Sequence, residues 1–108
     1  MNISIDFDDT YTRDPIFWDR FIYTAWEFKY DVYCVTAREP LPKFKDEVYN
    51  SIGKLIGKDN CYFTDGNAKE KFMFDQGILI DVWIDDSPKF INQSKKLFAD
   101  FKGTNFPY

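Results

Sequence analysis

A chain of 108 residues with a formal net charge of −4 has room for one domain with a modest hydrophobic core. Its 44% hydrophobic and 30% charged residues are typical of a globular protein, which excludes a disordered or membrane-spanning chain. Because the chain has no histidine, imidazole acid–base chemistry is excluded, and with only two cysteines a zinc site is not expected. Any catalysis must therefore use carboxylates, lysine, tyrosine, hydroxyl groups or a metal ion.

Cysteine usage and charge also bear on location and partners. Cys34 and Cys61 both lie in apolar and aromatic runs, where two buried free thiols in a reducing compartment are the simplest interpretation. The first residues lack the basic and then apolar pattern of a signal peptide, so we expect a cytoplasmic protein with no membrane partner. The negative net charge argues weakly against broad electrostatic binding to nucleic acid, although it leaves room for a local basic patch. The sequence leaves oligomerisation open.

The first predicted element is a buried strand that starts at Ile3 and runs into the acids Asp6, Asp8 and Asp9. Ligands of open α/β sheets lie outside the carboxyl ends of the strands, so these acids form a candidate site. Asp6 and Asp8 point the same way only if the strand continues through both. If the chain curls after Asp6, Asp8 lies on another side of a bound group. In either case the carboxylates repel each other unless a cation lies among them, and oxygen ligands suit Mg²⁺.

The remaining predicted elements alternate between helices and strands. Asp14 followed by Pro15 predicts the N-terminus of the first helix. We predict helices over 15–29, 43–56, 68–76 and 87–98, and further strands over 31–36, 60–64 and 78–84. This βαβαβαβα order predicts one domain over residues 1–108, with a Rossmann-like three-layer αβα fold and a mostly parallel sheet of about four strands.

Candidate site residues end or directly follow three of the four predicted strands, and a candidate lysine lies in the first turn of the helix that follows the other strand. Because the carboxyl ends of parallel strands lie on one edge of a sheet, we expect these side chains to meet there. Each one alone is a weak signal, since acids favour turns and a lone threonine or lysine in such a place is usually structural or solvated. The set consists of Asp6, Asp8, Thr36, Lys69 or Lys71, Asp85 and Asp86.

In this order the motifs resemble those of the haloacid dehalogenase superfamily, the aspartate-nucleophile phosphatases. The sequence IDFDDT at residues 5–10 matches the family's Asp-x-Asp-x-Thr motif, and Thr36 in VYCVTAR matches the threonine that ends the next strand. A lysine near a helix start and the acid pair in WIDD complete the set, which spans residues 3–88. Asp9 stands where the family often has glycine.

The resemblance implies a Mg²⁺-dependent phosphomonoester hydrolase that acts through an aspartyl-phosphate intermediate. Asp6 would be the nucleophile, and Asp8 would be the general acid and then the general base. The Asp6 carboxylate, the Asp8 backbone carbonyl and the acid pair would hold the metal, with Asp86 as the closer ligand and Asp85 as its support. The alternative function is a non-catalytic phosphate- or Mg²⁺-binding module of a larger assembly. The presence of both Asp6 and Asp8 favours the enzyme over that module.

Thr36 and a lysine would bind the phosphoryl group in this scheme. We favour Lys69 over Lys71, because Lys69 precedes Phe72 and Met73 by three or four residues and those two should face the sheet. Segments 11–30 and 36–60 each have room for one helix and its loops, so no cap domain is expected and the site should be open. An open site suits a bulky substrate, such as a nucleic acid end or a phosphoprotein. The alternative is that a partner subunit covers the site, in which case a small nucleotide or sugar phosphate would fit. The motif sequences resemble those of the nucleotidase and polynucleotide phosphatase branches of the haloacid dehalogenase superfamily.

Other polar residues near this edge are given structural roles. We expect Arg38 to form a surface salt bridge, and Asp65 and Asn67 to serve as turn and cap residues. Thr10 is expected to fix the turn after the nucleophile. Tyr11 has two open roles, either at the mouth of the pocket or packed on the first helix.

Overall fold

The computed structural model describes residues 1–95. Its strands are β1 (Asn2–Ile5), β2 (Asp31–Thr36), β3 (Cys61–Phe63) and β4 (Val82–Ile84). Its helices are α1 (Pro15–Glu27), α2 (Pro42–Tyr49), α3 (Ile52–Ile56), α4 (Lys69–Asp75) and α5 (Lys89–Asn92), with 3₁₀ turns at Tyr11–Arg13 and Lys58–Asn60. All neighbouring strands are parallel, in the order β3–β2–β1–β4. The predicted α/β Rossmann-like fold is confirmed.

Helices cover both faces of the sheet. On one face α1 and α3 contact each other and β2, and they enclose the main core with apolar residues of β1, β2 and β3. The connection from β3 back to β4 passes through α4. The right-handed crossover expected for parallel strands places α4 on the face opposite to α1 and α3, and there α4 contacts α5. Within residues 1–95 the connections hold only these helices, so the core carries no cap domain there. No helix of the described part of the chain is long and apolar enough to cross a membrane.

The alternation of side chains along β1 decides where Asp6 points. Ile3 and Ile5 belong to the main core, and successive side chains of a strand point to opposite faces. The Asp6 N–H donates to the carbonyl of Ile84 at 2.9 Å, which extends the pairing with β4 by one residue. The Asp6 side chain therefore lies on the α4 side of the sheet, where it contacts Lys69.

The helix predicted over 43–56 is two helices, because the chain breaks at Asn50 and Ser51. The Ser51 hydroxyl donates to the Glu47 carbonyl at 2.7 Å, the kind of local bond by which serine competes with helix continuation. A Cβ on Gly53 would lie only 3.1 Å from the Val48 carbonyl oxygen, so a larger residue would have to displace this backbone by a few tenths of an ångström, whereas glycine fits without that shift.

The strand predicted over 78–84 is shortened to β4 at Val82–Ile84. Ile3 pairs with Val82, and β1 begins at Asn2, so this strand offers no ladder partners to residues 78–80. The last predicted helix is interrupted, since α5 stops at Asn92 and Gln93 is extended, and Lys95 is again helical. The part of that prediction at 96–98 lies outside the described residues.

Candidate functional site

A small pocket opens at the carboxyl edge of the sheet, where sequence analysis predicts the site. Five of the six predicted site residues line it, and Asp86 lies beside it with a carboxylate oxygen within 4.8 Å of oxygens of Asp6 and Asp85. The segments at the ends of β1, β2 and β4 and the first residue of α4 thus deliver polar groups to one point. The pocket is lined by Asp6, Asp8, Thr36, Ala37, Lys69, Asp85, Ser87, Phe90 and Lys95.

The chain curls directly after Asp6, which decides between the two arrangements open for Asp8. The Tyr11 N–H donates back to the Asp6 carbonyl at 3.1 Å, and the Thr12 N–H donates to the Phe7 carbonyl at 3.1 Å. Asp9 has a φ of 60°, a left-handed conformation that glycine adopts most easily. Asp6 and Asp8 therefore reach the pocket from different sides.

Lys69 is the lysine that enters the pocket. It is 3% exposed, and its Nζ donates to Asp6 at 2.9 Å and to Asp85 at 2.6 Å. Lys71 instead forms an exposed pair with Asp75 on the surface of α4. The position of Lys69 agrees with the choice made from the sequence, and its role as the phosphate-binding lysine stays a prediction.

Burial and neighbouring charges shift the pKa values of Asp6 and Lys69. Burial raises the pKa of Asp6 to about 8, and the nearby Asp85 carboxylate adds to the rise while Lys69 opposes it. Burial acts to lower the pKa of Lys69, but Asp6 and Asp85 outweigh it and that pKa is raised. A positive charge is therefore fixed at the bottom of the pocket, beside Asp85 and beside Asp6, which carries its negative charge mainly above about pH 8 when no metal is bound.

Arg38 holds Asp8 in place, a contact more specific than the expected surface salt bridge. The Arg38 Nε donates to one Asp8 oxygen at 2.9 Å and Nη2 donates to the other at 2.8 Å. Nη1 donates to Glu47 at 2.8 Å, and the guanidinium lies 4.8 Å from the ring centre of Phe7. The hydrogen bonds that Arg38 donates to Asp8 raise the pKa of Arg38 against the effect of burial. Arg38 is thus a fixed cation that orients Asp8.

The two acids after β4 have different surroundings. Both Asp85 oxygens accept hydrogen bonds, one from Lys69 at 2.6 Å and one from the Ser87 N–H at 2.8 Å. One Asp86 oxygen accepts from the Thr10 hydroxyl at 3.2 Å. Because each Asp85 oxygen already accepts one hydrogen bond, Asp85 has fewer free lone pairs than Asp86, and Asp6 and Asp86 have more capacity to coordinate an ion. The donor set of three carboxylates fits Mg²⁺, which prefers oxygen ligands.

Thr36 ends β2 and Thr64 directly follows the neighbouring strand β3, and both side chains are buried at 1% exposure. The Thr36 hydroxyl oxygen accepts the Arg38 N–H at 3.3 Å and Thr36 lines the pocket, so its hydrogen is available to a ligand. Thr64 Oγ1 has no hydrogen-bond partner among residues 1–95, and Thr64 does not line the pocket. Only Thr36 is placed to bind a ligand.

Three further predictions concern residues around the pocket. Tyr11 packs on the first helix, because it is buried and its hydroxyl donates to Asp19 of α1 at 2.7 Å. Asp65 lies in a turn with a φ of 54°, as expected. The expected cap is wrong, because Asn67 donates its side-chain amide to the Thr64 carbonyl and the cap position of α4 belongs to Ala68.

Sequence reasoning missed Lys95 and Phe90. Both are buried and line the pocket, and the Lys95 ammonium lies 4.8 Å from the centre of the Phe90 ring. Burial and the nearby Lys69 charge lower the pKa of Lys95. No spacing rule marks Lys95, because its position depends on the extended residue Gln93 inside a segment that reads as continuous helix.

No protein-family model, curated protein or solved structure matched this chain. Its function is therefore inferred from the site itself.

Proposed function

We propose that this chain is a Mg²⁺-dependent phosphomonoester hydrolase of the haloacid dehalogenase type, acting through an aspartyl-phosphate on Asp6. The observation that carries the proposal is one pocket that combines the buried Asp6 and the more exposed Asp8 with Lys69 and Thr36. A nucleophile, a proton carrier and two phosphate-binding groups thus face the same small volume.

In the first step a carboxylate oxygen of Asp6 attacks phosphorus while the bond from phosphorus to the ester oxygen breaks. Asp8 gives a proton to the departing oxygen, which leaves as an alcohol. In the second step Asp8 takes a proton from water, whose oxygen attacks phosphorus, and the bond to Asp6 breaks to release phosphate. Such acid–base assistance typically contributes ~10²–10⁴ in rate.

Thr36 and Lys69 stabilise the phosphoryl group during both steps. The Thr36 hydroxyl donates to one phosphoryl oxygen, and the buried Lys69 ammonium offsets the negative charge of Asp6 and of the phosphoryl group. The carboxylates of Asp6 and Asp86, with the Asp8 backbone carbonyl, would hold Mg²⁺, which would offset charge as one anion attacks another.

The pairing with Arg38 is compatible with proton transfer by Asp8. Each carboxylate oxygen has two lone pairs, and Arg38 occupies one on each oxygen, so one remains to carry a proton. Arg38 therefore acts as a positioning residue, since it fixes the direction from which Asp8 approaches the leaving group.

The substrate proposal follows from the surroundings of Asp8. A second pocket shares Asp8 with the first, is also lined by Arg38, Glu39 and Phe44, and has mainly apolar walls. Because Asp8 would protonate the leaving group, this second pocket would lie next to that group. This surface suits a leaving group with a planar apolar part, such as a nucleoside, and the open site admits a nucleic acid end. A cytoplasmic location remains our expectation, supported by the free buried thiols of Cys34 and Cys61.

The second candidate function is a phosphate- or Mg²⁺-binding module without catalysis. The observation that favours it is the engagement of both Asp8 oxygens by Arg38, which restricts the proton carrier.

Hydrolysis of an aryl phosphate with and without Mg²⁺ tests the proposal. The native chain is compared with Asp6→Asn and with the matched control Asp9→Asn, which removes an exposed carboxylate from the same turn. We expect metal-dependent activity that disappears in Asp6→Asn and persists in Asp9→Asn. Mg²⁺ binding, followed by calorimetry, gives a readout that needs no turnover. An inert native chain that binds Mg²⁺ and phosphate would favour the binding module, and an active Asp6→Asn chain would rule out the mechanism.

A further inference from the structure

The side of α1 that faces away from the sheet exposes large apolar side chains, where a surface helix normally carries polar ones. Ile22 and Ala25 of α1 face the core and are buried. On the opposite side, exposed residues recur every three or four positions, which is the spacing of one helical face. This outer face consists of Ile16, Phe17, Arg20, Tyr23, Glu27 and Phe28, the last of which directly follows the helix.

The apolar part of the outer face is large for a chain of this size. Ile16, Phe17, Tyr23 and Phe28 are each more than half exposed. Because an aromatic side chain has about 150–250 Å² of surface, these four leave about 400–500 Å² of apolar surface in water. Patches of this size are often functional. With the exposed side chains of Arg20 and Glu27, the outer face approaches the ~800 Å² that each partner buries in a standard interface.

The two charges of the outer face are not paired within the part of the protomer that the structure describes. Arg20 and Glu27 are both exposed, and neither forms an ion pair with another of residues 1–95. They lie seven positions apart, which corresponds to about 10 Å along the helix axis. A positive and a negative charge are therefore presented separately, on either side of Tyr23.

The order of these residues is self-complementary for an antiparallel copy of the same helix. When two α1 helices pack antiparallel about a twofold axis at Tyr23, Arg20 of each copy lies beside Glu27 of the other. The apolar Ile16 and Phe17 of each copy then meet Phe28 of the other. A parallel arrangement would place like charges together, which costs free energy. A twofold dimer uses one patch on both subunits, and the outer face meets this requirement.

We propose that the outer face of α1 is a homodimer interface, in which two copies of this chain pack their α1 helices antiparallel. Tyr23 lies at the twofold axis, and two symmetric Arg20–Glu27 pairs flank it. Because the face is close to the standard interface size and not above it, we expect a reversible dimer. The residues of the outer face do not line the pocket that contains Asp6, so this inference does not depend on the proposed function.

Sedimentation velocity over chain concentrations of about 1 to 200 µM tests the interface. We expect the mass of the native chain to rise from one chain towards two. Arg20→Glu places like charges beside Glu27 at both symmetric contacts and should weaken dimerisation by at least about tenfold. The double variant Arg20→Glu/Glu27→Arg exchanges the two charges and should recover the native affinity to within about threefold.

A second pair of variants tests the apolar centre of the interface. Tyr23→Asp places two carboxylates at the twofold axis and should abolish dimerisation over the same concentrations. The matched control is Phe74→Asp, which changes an aromatic residue that is also more than half exposed but lies on α4. It should leave the dimer affinity within about twofold of native. Both positions are exposed, and circular dichroism checks that each variant is folded.

A native chain that stays monomeric over this range would overturn the inference, as would equal weakening in Phe74→Asp. Weakening by Arg20→Glu with no recovery in the double variant would also overturn it, since only antiparallel pairing predicts that recovery. If Tyr23→Asp does not fold, the charge exchange decides alone. A monomeric chain that binds phosphatidylcholine vesicles through Tyr23 would assign the outer face to a lipid surface instead. Failure to hydrolyse an aryl phosphate would leave these results unchanged, so the proposed function is tested separately.

Discussion

Replacement of Arg38 by methionine should destabilise the fold far more than loss of an exposed ion pair. Arg38→Met keeps most of the apolar stem but removes both hydrogen bonds to Asp8 and leaves that carboxylate unpaired. The side chains of Arg38 and Asp8 are 13% and 25% exposed. Hydrogen bonds to partly buried charged groups contribute about 1.5–3 kcal/mol, so we expect a bidentate pair to contribute about 2 kcal/mol after screening. The contact with Glu47, which is 59% exposed, adds about 0.5 kcal/mol or less.

The total loss of about 2–3 kcal/mol corresponds to a fall of about 10 °C or more in Tm for a domain of this size. Urea unfolding followed by circular dichroism measures the change in the free energy of unfolding. The matched control is Lys71→Met, which removes a 2.8 Å pair with Asp75 whose side chains are 77% and 53% exposed. That variant should lose about 0.5 kcal/mol or less.

A double-mutant cycle isolates the pair itself. Asp8→Asn, Arg38→Met and the double variant should give a coupling free energy of at least about 1 kcal/mol. A loss below about 1 kcal/mol in Arg38→Met, or an equal loss in Lys71→Met, would refute the view that burial distinguishes the two ion pairs.

Three further predictions concern the pocket and its turn. Thr36→Val should lower kcat/KM by about tenfold or more. Its control, Thr64→Val, removes an oxygen with no hydrogen-bond partner among residues 1–95 and should leave activity unchanged at little cost in stability. Equal activity in the two variants would contradict this prediction. Because burial raises the pKa of Asp6 to about 8, a proton competes with Mg²⁺ below that pH, so calorimetry should show metal affinity rising from pH 6 to pH 9 in the native chain and not in Asp6→Asn. A pH-independent affinity in the native chain would show that Asp6 does not bind the metal. Asp9→Gly should keep activity and raise the free energy of unfolding by about 0.5 kcal/mol, because glycine adopts the φ of 60° at this position without strain. A clear fall in Tm in a thermal melt would argue against this prediction.

Local patterns predicted the elements whose bounds depend on their own residues. The β-branched and aromatic run over 31–36 is β2 with the predicted ends. The first helix begins at Pro15, and the Asp14 side chain accepts the Phe17 N–H at 3.2 Å as an N-cap should. The parallel order of the strands then brings their carboxyl ends to one edge, which is why the location of the pocket follows from sequence alone.

Local sequence patterns do not predict features that depend on residues distant in the chain. The start of β4 follows from where β1 begins, and the orientation of Asp8 follows from Arg38, 30 positions away in the chain. Lys95 reaches the pocket because Gln93 interrupts a helical pattern and Gly66 anchors the returning backbone. In each case a long-range contact overrides the local preference.

The central claim is that Asp6 becomes covalently phosphorylated, and chemical trapping of the intermediate tests it most directly. The native chain is mixed with an aryl phosphate and Mg²⁺, quenched with borohydride, digested and analysed by mass spectrometry. Borohydride reduces an acyl phosphate to an alcohol, so an aspartyl-phosphate is converted to homoserine. We predict homoserine at position 6, dependent on substrate and metal. Hydrolysis of the substrate with no reduction at position 6, or with reduction at position 8 instead, would contradict the assignment of Asp6 as the nucleophile.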